Sequence, residues 1–196
     1  MDFRLNEKQL ELQAKVRKFA QERLLPTVVE RDNKGEYPTE LYKEMGAMGL
    51  IGLPYPKEFG GQGEDYLSYA IAVEEISKVD ASLGISYSVS TSLYGGSVMN
   101  SNATDAQKKE FLPDVLQGKA WGSFGLTEPN AGSDAGGCVT TATKDGDGYV
   151  LNGLKCFNTN GPLADYSAVF ALTEPELKAK GLACFVVKKG TPGFSV

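Results

Sequence analysis

The sequence predicts an α+β protein: an all-α helical bundle over residues 1–120, followed by a smaller β unit over residues 121–196. Three observations carry this. Apolar residues recur at helical spacing through the first unit, behind recognisable N-terminal caps. From Trp121 onward the pattern shortens to runs that alternate, separated by Gly, Asn and Asp turns. The change of period falls at one point, which marks a junction between two structural units.

The helices follow in order. Asn6 and Gln9 have the spacing of a capping box, and Leu5 and Leu10 stand where a hydrophobic staple would be, so a helix is predicted from Glu7. Leu12, Val16 and Phe19 continue it, with Ala20 and Leu24 widening the stripe. Pro26 kinks or restarts this helix, and residues 32–35 form a turn. Residues 39–48 give a second helix ending at Gly49. The run 52–63 (GLPYPKEFGGQG) is a loop, either a lid or a plain connection. Residues 66–79 form a third helix, with Leu67, Ala70, Ile71 and Glu74 on one side and Val73 and Ile76 extending its apolar part. Residues 80–99 are rich in Gly, Ala, Ser and Thr, which for most positions reads as close helix–helix packing. Thr104 and Gln107 repeat the capping-box spacing before a last helix to about residue 116. Roughly five helices result, a bundle-like arrangement.

In the second unit, residues 139–143 alternate and are rich in β-branched side chains, 144–148 (KDGDG) signal a hairpin turn, and 149–151 return. Asn152-Gly153 turns the chain again, ahead of 155–158. Strands are predicted at 167–172 and 182–187, joined by a polar, mobile connection at 174–180, and one more begins at 193. These are too few to close a barrel.

Composition narrows the chemistry. The 196 residues carry a net charge of −5, against a general nucleic-acid or anionic-membrane surface. No apolar run approaches the roughly 20 residues that span a bilayer. MDFRLNEKQ lacks the basic and apolar regions of a signal peptide, so the expected setting is the cytoplasm. The sequence contains no histidine, which excludes a histidine base and a Ser-His-Asp triad. Cys138, Cys156 and Cys184 are widely spaced and in no metal pattern, so packing is their default role and no metal is expected.

What remains concentrates in residues 121–137, WGSFGLTEPNAGSDAGG. Glu128 before Pro129, then Asn130, forces a turn. Ala131, Gly132 and Ser133 are small, so backbone N–H groups around them could hold a phosphate. The preceding strand could hydrogen-bond the polar edge of a flat ring through backbone groups and the Thr127 hydroxyl. On residue types alone, an ordinary strand and loop is the simpler reading.

FGLTEPNAGSDA, together with KCFNTNG at residues 155–161, closely resembles the two flavin-contacting motifs of the acyl-CoA dehydrogenase family, and the resemblance extends along the whole chain. It is strongest to the bacterial short-chain, butyryl-CoA branch. The resemblance implies a helical N-terminal domain followed by a middle β-barrel that is incomplete here, so that this chain corresponds to roughly the first half of a family member. It implies FAD as cofactor, an acyl-CoA oxidised to its trans-2-enoyl form, an electron-transferring flavoprotein as acceptor and a homotetramer when full length. Carried over residue by residue, Phe124, Leu126, Thr127, Gly132 and Ser133 belong to the first flavin segment, with Ser133 also near the substrate's pantetheine arm. Phe157, Asn158 and Thr159 belong to the second, Phe157 covering a flavin face and Thr159 bonding near N5 and O4. Ser86, Val89 and Leu93 fall on positions that line the acyl pocket, and spacings of three and four put them on one helix face. The 52–63 loop becomes framework. Glu128 and Asp134 are expected to point away from the diphosphate and bond loop N–H groups. The family's catalytic glutamate comes from a C-terminal helical domain and matches no carboxylate here, so the chain alone is expected to be inactive. Two alternatives stay open: a non-catalytic flavin or CoA-ester binding or interaction protein, and a related acyl-CoA oxidase or enoyl-CoA reductase.

Overall fold

The computed structural model describes residues 4–196. Helix α1 (Glu7–Phe19) starts at the expected capping box: Gln9 N donates to Asn6 Oδ1 at 2.9 Å and Asn6 N donates to Gln9 Oε1 at 3.1 Å. A wider π-type turn (Ala20–Leu24) ends it, and α2 (Val28–Lys34) restarts beyond Pro26. The turn predicted at 32–35 is corrected: Asp32, Asn33 and Lys34 are helical, and only Gly35, at φ 64°, leaves the helix in the left-handed region a C-terminal glycine permits. After α3 (Thr39–Ala47), α4 (Tyr66–Ser77) and α5 (Ala81–Ser88) each start on an aspartate cap, Asp65 accepting from Ser68 N at 2.6 Å and Asp80 from Leu83 N at 2.8 Å. Helix α5 runs through a second π-type segment (Val89–Gly95) into α6 (Gly96–Met99). The second capping box opens α7 (Asp105–Phe111), and Pro113 opens α8 (Pro113–Leu116).

The predicted face of α4 is also corrected. Ser68, Ile71, Ala72, Glu75 and Ile76 are buried, whereas Leu67, Ala70 and Glu74 are exposed. Polarity misled here, because Glu75 is buried in a bidentate ion pair with Arg17, at 2.9 and 3.0 Å. The 52–63 connection is packed framework: Tyr55 and Phe59 are buried, and Tyr55 donates to Thr91 O at 2.6 Å. Close helix packing accounts for Gly84, where a β-carbon would run into Ser77 of α4.

Five strands follow: β1 (Gly122–Gly125), β2 (Thr141–Asp145), β3 (Gly148–Asn152), β4 (Tyr166–Leu172) and β5 (Leu182–Lys188). Strand β4 is central. It pairs in parallel with β1, from Gly122↔Tyr166 to Gly125↔Val169, and further along with β2 at Thr141↔Leu172. Along its other edge β5 runs antiparallel, from Tyr166↔Lys188 to Leu172↔Leu182. The β2–β3 hairpin turns at Gly146-Asp147, with Gly146 at φ 56°. The sheet is mixed and not closed into a barrel. The strand predicted from 193 and any strand at 155–158 are not formed among the described residues, and 174–180 lies largely within short helical turns (Pro175–Gly181).

The helical and β units share their cores. Trp121 stacks on Tyr42 of α3 with ring centroids 3.7 Å apart and planes 14° apart, inside a cluster built from α1, α3, α4 and α5. A second cluster packs Tyr55, Tyr94, Leu112 and Leu116 against Ala168 of β4, with Val186 of β5 at its margin.

Candidate functional site

Two segments meet along the free edge of β1. Trp121 O accepts from Tyr166 N of β4 at 3.2 Å, so the next carbonyl, that of Gly122, faces the opposite edge. There it accepts from Asn160 Nδ2 at 3.0 Å. Two residues beyond the strand's other end, Cys156 N donates to Thr127 O at 2.9 Å. These contacts pair 122 with 160 and 127 with 156, so residues 156–160 lie antiparallel beside 122–127. The two motifs singled out in the sequence are side by side.

A buried charge pair locks the arrangement. Glu128 is 3% exposed, and its carboxylate accepts from Val139 N at 2.7 Å, Thr140 N at 3.0 Å and Lys155 Nζ at 2.7 Å. Burial alone would raise its pKa; the Lys155 ammonium and the two backbone donors outweigh burial and hold the carboxyl at about 2. Lys155 also donates to Leu126 O at 3.1 Å. Glu128 is thus ionised and fully engaged, which leaves it no part as a proton acceptor. Asp134 accepts from Gly136 N at 3.1 Å, again a loop N–H group.

Around this lock lie the residues read as flavin contacts. Leu126, Thr127, Asn158 and Thr159 are half-buried. Phe157 is 92% exposed, so it is no core phenylalanine. Its φ of 57° is one that aromatic residues rarely adopt, at a cost of about 1–3 kcal/mol, and Asn160 follows at 66°. The Asn158 Oδ1 atom is buried and has no hydrogen-bond partner. Gly132 and Ser133 are exposed just beyond the tight turn that pairs Glu128 with Ala131, and a β-carbon on Gly132 would meet nothing within 4 Å. Phe124 stands apart from the rest: its ring packs 5.1 Å from that of Phe170 and against the second core cluster.

The residues read as acyl-pocket lining lie on α5 and its π-type extension. Ser86 and Val89 are buried and Leu93 is 41% exposed. Asn160 ties this helix to the second motif, donating to Ser86 O at 3.0 Å and Ser90 Oγ at 3.3 Å. Lys155 and Asn160 are the site residues that the sequence reading passed over. Their signals were a lone lysine opening a half-apolar segment and an Asn-Gly pair closing it.

The family model for the acyl-CoA dehydrogenase N-terminal domain matches residues 6–119, and that for the middle domain matches residues 123–196. The chain belongs to the acyl-CoA dehydrogenase family. It is 44% identical to the short-chain-specific acyl-CoA dehydrogenase of Clostridium acetobutylicum over 196 residues, 100% of this chain and 52% of that protein. It is also 44% identical to an acryloyl-CoA reductase (NADH) of Anaerotignum propionicum over 199 residues, covering 100% of this chain and 50% of that one. The butyryl-CoA dehydrogenase of Megasphaera elsdenii superposes with a TM-score of 0.94 at 44% identity, over 100% of this chain and 52% of that one. A glutaryl-CoA dehydrogenase from Mycobacterium smegmatis in complex with FADH2 superposes with a TM-score of 0.90 at 37% identity, over 97% of this chain and 48% of that one. The chain spans about half the length of the curated relatives it matches. No helix among the described residues is long and apolar enough to cross a membrane.

Proposed function

We propose that this chain forms the helical and flavin-binding part of an FAD-dependent acyl-CoA dehydrogenase acting on a short-chain acyl-CoA, with the boundary between its two units at 120/121. The observation that carries this is the Cys156 N–Thr127 O contact of 2.9 Å, which sets the two motifs side by side next to an exposed Phe157. The residues fit the cofactor: an open aromatic face, a buried Asn158 oxygen without a partner, and an uncovered backbone at Gly132 and Ser133.

Bound FAD supplies the hydride acceptor. Phe157 would shield the ring from water, and the Thr127 and Thr159 hydroxyls would supply donors to it, where a donor stabilises negative charge as it develops. Gly132 and Ser133 would hold the pyrophosphate through backbone N–H groups. Ser86, Val89 and Leu93 orient the acyl chain, and Asn160 fixes their helix against the ring-binding strand. Glu128 is not free to remove the substrate's α-proton, since three donors engage it. We therefore assign the base to the family's C-terminal domain, and an electron-transferring flavoprotein, a homotetrameric assembly and a cytoplasmic setting complete the reading.

The purified chain, mixed with FAD, is expected to show the absorption of a protein-bound flavin and no turnover of butyryl-CoA with an artificial electron acceptor. A colourless protein after reconstitution would refute the flavin reading, and turnover would refute the assignment of the base elsewhere. The 44% identity to an acryloyl-CoA reductase favours a second reading, reduction of a short enoyl-CoA on the same surface. Measuring which direction the corresponding full-length enzyme catalyses separates the two.

A further inference from the structure

We propose that Lys155 is a positioning residue for the flavin face: held by Glu128, its ammonium fixes and polarises the Leu126–Thr127 peptide, so that the Thr127 N–H is presented to the ring. The inference rests on the flavin reading above. Lys155 Nζ lies 3.1 Å from Leu126 O and 2.7 Å from Glu128 Oε1, with its side chain only 8% exposed. Glu128 cannot follow a wandering lysine, because Val139 N and Thr140 N pin both of its oxygens. The Cys138 thiol donates weakly to the same Leu126 carbonyl at 3.5 Å. The other end of that peptide unit, Thr127 N–H, makes no hydrogen bond among the described residues.

A peptide unit is planar and its C=O and N–H point in opposite directions, so fixing the carbonyl of Leu126 aims the N–H of Thr127. Donation from a cation to that carbonyl also draws electron density along the amide and makes the N–H a stronger donor, as in any hydrogen-bonded chain at low dielectric. A reduced ring carries more negative charge than an oxidised one, so the stronger donor favours the reduced form.

The test uses the full 196-residue chain with FAD as the probe, and reads thermal midpoint, FAD affinity and the two-electron potential of bound flavin. Lys155→Met is compared with Lys155→Arg and with the double variant Glu128→Gln/Lys155→Met. The double variant leaves no unpaired charge and keeps the comparison valid where the single variant fails to fold. The folded double variant is expected to bind FAD about tenfold more weakly, and to lose about tenfold in preference for reduced flavin, a potential lower by about 30 mV. Lys155→Arg is expected to restore both. A folded double variant with unchanged affinity and potential overturns the proposal and leaves a purely structural ion pair. An unmodified chain that takes up no FAD overturns the flavin reading itself, and this inference with it.

Discussion

Glu128 and Lys155 are both buried and both charged, an arrangement that survives only because each satisfies the other and backbone groups complete the set. The carboxyl's folded pKa, about 2, lies below its ordinary value of 4.5. The pair therefore adds stability above about pH 4.5 and loses it as pH falls towards 2. Glu128→Gln is expected to cost about 3 kcal/mol in urea unfolding at pH 7, from the stranded ammonium, with the gap to the unmodified protein narrowing below pH 4.5. A gap that stays constant with pH would contradict this account. Sequence reading placed Glu128 correctly, turned towards loop N–H groups. It could not find the partner, which lies 27 residues away with no local pattern linking the two.

At the scale of elements, what is local was legible. Both capping boxes form as read, since donor and acceptor stand three residues apart and need no tertiary help. Asn6→Ala is expected to destabilise the protein by about 1 kcal/mol, seen as a lower thermal midpoint in circular dichroism. An unchanged midpoint would mean the cap is idle. The buried face of α4 was not legible. Glu75 looks like a solvent residue until Arg17 of α1 and Lys78 meet it, and these partners, led by Arg17, hold its carboxyl at about 2 despite burial. The strand predicted from 193 is likewise not formed among the described residues.

At the scale of the whole molecule, the helical and β parts share packing. Trp121, the only tryptophan, opens the β unit yet stacks on Tyr42 in the helical core, and Ala168 of β4 sits among helical side chains. Shared burial couples the units. Tryptophan fluorescence, which reports the junction, and far-UV circular dichroism, which reports the helices, are expected to give one coincident urea transition. Two separated midpoints would show that the units unfold independently.

The sequence by itself determined the order of elements, the change from helix to strand at Trp121, and the two segments that form the candidate site, because periodicity, caps and motif residues are properties of near neighbours. Only the tertiary structure decided which edge of β1 the second segment lies on, that Phe157 faces outward while Phe124 packs inward, and that Lys155 and Asn160 hold the site together. Those outcomes depend on burial and on partners far away in the chain, where pairing a charge or filling a core contact outweighs any local preference.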